Sequence, residues 1–187
     1  SSRGLAVMDR HTGAVLWEYE SSLGLRHTGI VVGAGKLFCV NQQPPRVRKL
    51  LADQGITTPG TPAVLAFDVR TGEPIWAVNE GVFGTWLSYS TEHDILLQAG
   101  RPSRDMLRDE PNDRIAAYRG ATGDVIWDKP ISYGEPAIIH RDTIIAGTGA
   151  HSLLTGDLKN RVDPLTGIET PWTYHRNYGC NYAIASE

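Results

Sequence analysis

One phrase recurs along this chain of 187 residues, and it constrains the fold more than any other feature. It reads LAVMDRHTGAVLW over residues 5–17, VLAFDVRTGEPIW over 64–76 and IAAYRGATGDVIW over 115–127. In each copy a Trp stands four residues after a Gly, giving the pairs Gly13/Trp17, Gly72/Trp76 and Gly123/Trp127. A degenerate fourth copy runs from Asp163 through Gly167 to Trp172, one residue late. The Thr-Gly pairs are 59, 51 and 44 residues apart, a period belonging to repeat architectures.

Each copy has the pattern of a β-hairpin: a short apolar strand, a turn, then a strand carrying the Trp. Asp9 and Asp68 are placed to cap their turns through the carboxylate, and Gly13, Gly72, Gly123 and Gly167 to take the positive φ. Arg119 stands where the third copy would have its Asp. A second pair of strands recurs between the hairpins, at 29–40, 86–99 and 136–147. One period therefore holds four strands, which predicts an all-β chain built as a β-propeller of four-stranded antiparallel blades. About four blades are expected: the second half of one at 1–20, blades at 26–79, 84–129 and 134–174, and the start of another at 175–187.

These residues resemble the pyrroloquinoline-quinone-like (PQQ-like) repeat, the propeller family of the quinoprotein alcohol dehydrogenases. The resemblance implies that Trp17, Trp76, Trp127 and Trp172 pack between neighbouring blades. It also implies closure with seven or eight blades, so that the chain reads as a fragment of a larger bacterial protein. An extracytoplasmic setting, periplasm or cell envelope, follows from the same resemblance, although no signal peptide is visible in the first residues.

The period varies because extra residues enter between the second and third strands, at roughly 41–62, 101–114 and 151–163. In an up-and-down blade these connections emerge on one face, together with the loops around Ser21, Gly81 and Tyr133, which makes that rim the candidate binding face. The candidate contacts on it are Asn41, Gln42, Arg101 and His151. Short helices are expected at 46–53 and 104–109. Arg46, Arg48 and Lys49 in the first insertion, and Arg101, Arg104 and Arg108 in the second, either face an acidic ligand or pair with Asp53, Asp105, Asp109 and Glu110.

Composition narrows the remainder. A net charge of -3 leaves no basic footprint for nucleic acid, and no apolar run reaches bilayer length. The six histidines have no metal-ligand spacing, so no metal site is expected from them. Gly33-Ala34-Gly35 and Gly147-Thr148-Gly149 read as strand turns rather than phosphate loops, and Cys39 and Cys180 as a disulfide or two thiols.

Two functions fit. One is a non-catalytic binding or scaffold propeller for a protein or small ligand, similar to the repeat propeller that assists outer-membrane assembly. The other, implied by the dehydrogenases of the family, is part of an enzyme with PQQ and calcium on the propeller axis. Those enzymes commonly carry adjacent disulfide-linked cysteines, and this sequence has no Cys-Cys pair. The binding propeller is the reading carried forward.

Overall fold

The computed structural model of the chain describes residues 2–101, 108–134, 137–147 and 149–173. The expected first strand of a further blade at 175–187, Cys180, His175, Arg104 and most of the second expected helix lie outside the described residues.

Strands β1 (Ser2–Met8) and β2 (Val15–Leu25) form the first hairpin. Strands β3 (Ile30–Gly33), β4 (Lys36–Asn41), β5 (Ala63–Asp68) and β6 (Pro74–Val78) form one antiparallel sheet in sequence order. Strands β7 (Trp86–Ser90), β8 (Ile95–Ala99), β9 (Ile115–Arg119) and β10 (Val125–Lys129) form the next. Then come β11 (Ile138–His140), β12 (Thr143–Ala146) and β13 (Gly149–Ser152), followed by a separate hairpin of β14 (Asn160–Val162) and β15 (Glu169–Pro171). Helix α1 (Pro45–Asp53) lies in the connection between β4 and β5. This is a partial β-propeller of stacked antiparallel blades.

The middle strands of each sheet are apolar on both sides because a blade is covered on both sides. Strand β8 reads Ile-Leu-Leu-Gln-Ala and is buried throughout. Its Ile95, Leu97 and Ala99 pack with Trp127 of the same blade and with Ile144 and Leu153 of the following one, while Leu96 packs with Tyr118 of its own blade and with Phe38 and Val64 of the preceding one. The polar member, Gln98, is satisfied internally: its amide donates to the Gly84 carbonyl at 3.0 Å and its oxygen accepts from the Tyr118 hydroxyl at 3.0 Å.

The repeated Trp and Gly do one job together, across blades. Trp17 Nε1 donates to the Val69 carbonyl at 3.0 Å, Trp76 Nε1 to Gly120 at 2.9 Å and Trp127 Nε1 to Leu153 at 2.9 Å. Each acceptor is the residue following the first residue of the next blade's hairpin turn. In that turn a Cβ built on Gly72 would stand 2.6 Å from the Trp17 indole, and one on Gly123 would stand 2.8 Å from that of Trp76. With φ of 76° and 79°, only Gly meets both demands.

Asp9 and Asp68 cap their turns as expected, each Oδ1 accepting two backbone amides (His11 and Thr12; Arg70 and Thr71). The Arg119 turn borrows its carboxylate instead. Asp94, from the β7–β8 turn, accepts the Ala121 amide at 2.9 Å while its carbonyl accepts that of Gly120.

The third sheet corrects the sequence reading. Two turns here carry the repeat's hydrogen-bond pattern, Ser152 to Gly156 and Asp163 to Gly167, each with its Gly amide donating to the first residue's carbonyl as Gly123 does to Arg119, and the one that faces the preceding blade is the first. A Cβ on Gly156 would meet the Trp127 indole at 2.9 Å, whereas one on Gly167 would meet nothing within 4 Å. The fourth strand begins at Asp157, pairs through the His151–Leu158 bridge, is interrupted after Lys159 and resumes at Trp172, where Thr173 pairs with Gly149. Trp172 thus stands opposite Ala150, as Trp76 stands opposite Ala66 and Trp127 opposite Ala117. Gly167 belongs to a hairpin inserted within that strand, and the expected insertion at 151–163 between the second and third strands does not exist. Residues 147 and 148 alone join β12 to β13.

Candidate functional site

The strand connections divide between two ends of the blades. The tight turns, including Ala34 at φ 48°, Asp94 at 51° and Arg141 at 53°, lie at one end. The long connections 42–62 and 100–114, with the blade-to-blade links, lie at the other, and there the expected site residues were placed.

Asn41, the last residue of β4, is buried and fully engaged. Its Oδ1 accepts the Ser21 hydroxyl at 2.6 Å and the Leu23 amide at 3.0 Å, and its Nδ2 donates to Ser22 Oγ at 3.1 Å and the Thr61 carbonyl at 3.3 Å. It ties the β2–β3 link to the returning end of the long connection. Gln42 donates from its backbone to the Gly24 carbonyl and from Nε2 to Phe83 at 3.3 Å, bridging to the next link. Its buried Oε1 has no partner among the described residues.

One blade further on, Glu110 takes the equivalent part. Its Oε1 accepts the Thr85 hydroxyl at 2.6 Å, and its Oε2 accepts the amides of Arg101 at 2.8 Å and Thr85 at 3.3 Å. Tyr133 completes the same connection, its hydroxyl accepting the Gly100 amide at 2.6 Å and donating to the Arg114 carbonyl at 3.0 Å. Burial pushes this phenol up to about 12. Sequence reasoning had marked the loop around Tyr133 but missed Glu110 as more than a surface charge; an acidic side chain in a connection whose backbone amides need acceptors was the available signal.

Arg101 is half-buried, its guanidinium lying over the Trp86 ring at 5.5 Å from the centroid, a cation–π contact. Arg114 lies similarly over Phe83 at 4.4 Å and pairs with Asp128, which raises the guanidinium and lowers the carboxylate from their ordinary ranges. His151 is not at this end's long connections. It sits on β13 with Nδ1 3.3 Å from the Gly156 carbonyl, and burial lowers its pKa. The structure therefore brings Asn41 and Gln42 together, sets Arg101 beside the next link and leaves His151 apart.

The basic residues of the first insertion divide. Lys49 pairs with Asp53 at 3.2 Å along α1, whereas the guanidiniums of Arg46 and Arg48 have no partner among the described residues. Between α1, residues 55–62 and Leu23 is a cavity of about 340 Å³ with Arg48 in its wall.

No protein-family model matches the sequence, and no curated protein matches it either. Solved structures do match in shape. BamB from Moraxella catarrhalis superposes with a TM-score of 0.55 at 13% identity, over 84% of this chain and 43% of that one. The quinohemoprotein alcohol dehydrogenase from Comamonas testosteroni gives 0.52 at 16% identity, over 83% of this chain and 32% of that one. The chain spans less than half the length of either structure, and the likeness is one of fold, that of a partial β-propeller.

Proposed function

We propose that this chain is part of a non-catalytic PQQ-like propeller that serves as a binding or scaffold module for a protein partner in the cell envelope. The observation carrying this reading is the hairpin inserted at residues 160–171. It projects from the edge strand of its blade with Leu165 94%, Val162 62% and Ile168 60% exposed. Apolar side chains concentrated on one protruding hairpin are a feature of protein-contact surfaces.

The fold is shared with a dehydrogenase as well as with BamB and fits both readings. A calcium and quinone site needs free carboxylate and amide oxygens. Among the described residues no three of His, Cys, Asp and Glu gather in one place, and the buried Glu110 has both oxygens engaged by Thr85 and Arg101.

A photo-crosslinking amino acid placed at position 165 in the expressing cells tests the proposal. One discrete protein adduct, lost when the flanking exposed residues are changed in Val162→Asp and Ile168→Asp with the crosslinker kept at 165, supports it. Stoichiometric calorimetric binding of PQQ with calcium, accompanied by dye-linked alcohol oxidation, overturns it.

A further inference from the structure

We infer that the cavity behind α1 is a binding site for a small monocarboxylate with an apolar body. It stands on a different element from the 160–171 hairpin, so the two readings succeed or fail separately.

The cavity is preformed. Its floor is fixed by the end of α1, where Gly55 (φ 70°) donates to the Ala52 carbonyl and Ile56 to that of Leu51, both at 2.9 Å. That pair of bonds is the Schellman arrangement, and it sets Ile56 against the last turn. The opposite wall is pinned twice. Gln43 Nε2 donates to the Thr58 hydroxyl at 3.2 Å, and Gly60, at φ 137°, lies so close to Ser22 that a Cβ there would be 2.4 Å from its hydroxyl. Asn41, holding Thr61 and Ser22 at once, locks the returning chain to the link beneath.

The lining has a definite chemistry. Leu23, Ala52, Ile56 and Pro62 supply apolar wall, Thr57 and Thr58 supply hydroxyls, and Arg48 supplies the one cation. At about 340 Å³ the space is at the lower end of small-molecule sites, which run from about 300 to 1,000 Å³. A guanidinium presents parallel N–H donors that match a carboxylate in bidentate fashion. Arg48 pairs with nothing among the described residues, while its neighbour Lys49 is taken by Asp53. One cation over an apolar pocket selects one negative charge on an apolar body, in preference to a neutral amphiphile or a compact dianion.

The test uses octanoate as probe, with octanol and inorganic phosphate as controls, followed by amide chemical shifts in the whole chain. Octanoate is expected to saturate with a Kd below about 1 mM, with shifts centred on Gln43, Ile56 and Thr58. Arg48→Gln is expected to weaken it at least tenfold and Arg48→Lys less, both on an exposed helix position that leaves the fold intact. Ala52→Trp, filling the space, abolishes it. A Kd above about 10 mM, octanol or phosphate binding as tightly as octanoate, an unchanged Kd in Arg48→Gln, or shifts centred elsewhere would each overturn the assignment.

Discussion

The indole Nε1 of Trp127 donates to the carbonyl oxygen of Leu153 at 2.9 Å, and this bond identifies the turn at Ser152 to Gly156 as the one that faces the preceding blade. The same bond from Trp17 to Val69 and from Trp76 to Gly120 makes the contact a repeating joint. A repeat propeller is held together mainly by such nearest-neighbour joints, so their removal has calculable effects.

Trp127→Ala is expected to cost about 3 to 5 kcal/mol, the usual loss for a buried aromatic truncated to a small side chain. Trp127→Phe, retaining most of the packing and losing the bond to Leu153, is expected to cost less. Urea unfolding midpoints of the two variants check the order, and equal losses would show that the hydrogen bond rather than the packing dominates.

Gly123→Ala puts a Cβ against the Trp76 indole at a residue with φ of 79°. The left-handed conformation alone costs about 1 to 2 kcal/mol, and the contact adds to it. Gly13→Ala, at φ 72° but with open space around the new atom, is expected to pay the conformational part only. The difference between their thermal midpoints isolates the contact.

Deletion of residues 160–171, joining Lys159 to Trp172, is expected to leave the propeller folded. The flanking bonds, Lys159 N to the Ala150 carbonyl and Ala150 N to that of Trp172, already hold the two halves of the strand in register. Unchanged far-ultraviolet circular dichroism and a cooperative transition are the expected result; loss of cooperativity would show that the hairpin contributes to the core.

Acid stability carries a contribution from Asp94. Burial would raise this carboxyl, but the Tyr89 hydroxyl at 2.6 Å, the Ala121 amide and Lys36 outweigh it and hold the group below its ordinary value. With the folded pKa below the unfolded one, the unfolded chain takes up the proton more readily. The stabilisation is therefore full above the ordinary Asp value of about 3.9 and is lost as the pH falls from there through the folded value. The stability gap between the parent chain and Asp94→Asn is expected to narrow from pH 6 toward pH 2, as read from urea midpoints.

Cys39 is 0% exposed, and burial pushes its thiol up to about 12. The thiolate is the reactive form, so maleimide labelling of the Cys39 peptide at pH 8 is expected to be slow until denaturant opens the sheet. Rapid labelling in the native state would place the opening of β4 and β5 at low free energy.

The propeller was legible in the sequence because the signal of a blade is local: turn, Gly and Trp fall within a few residues of one another. Where the chain broke that locality, the reading slipped. Gly156 is the turn glycine of the third sheet, but residues 160–171 stand between it and Trp172, and the inserted hairpin brings a second Thr-Gly pair of its own at Thr166-Gly167. Asp163 even caps that turn, accepting Leu165 and Thr166 amides, so the decoy is complete in its local chemistry. What separates the two is non-local, the indole of Trp127 lying against Gly156. The candidate contacts show the same limit. Asn41 and Gln42 look like free rim amides in sequence, and only the positions of Ser21, Leu23 and Phe83 reveal that they are fasteners. Arg48, by contrast, was singled out with its neighbours on charge alone, and the helix geometry separates it from them.

The interruption after Lys159 has a consequence for how such chains can change length. The outer strand of a blade is bonded on one side only, so chain can leave it and return between two consecutive ladder positions with no partner on the other flank to be displaced. Inner strands have no such freedom, and added residues there must wait for the connection at the strand's end. Each blade rim is thereby a docking port for foreign segments, where a loop or a peptide can be grafted at the cost of closing one excursion while the register of the whole array is preserved.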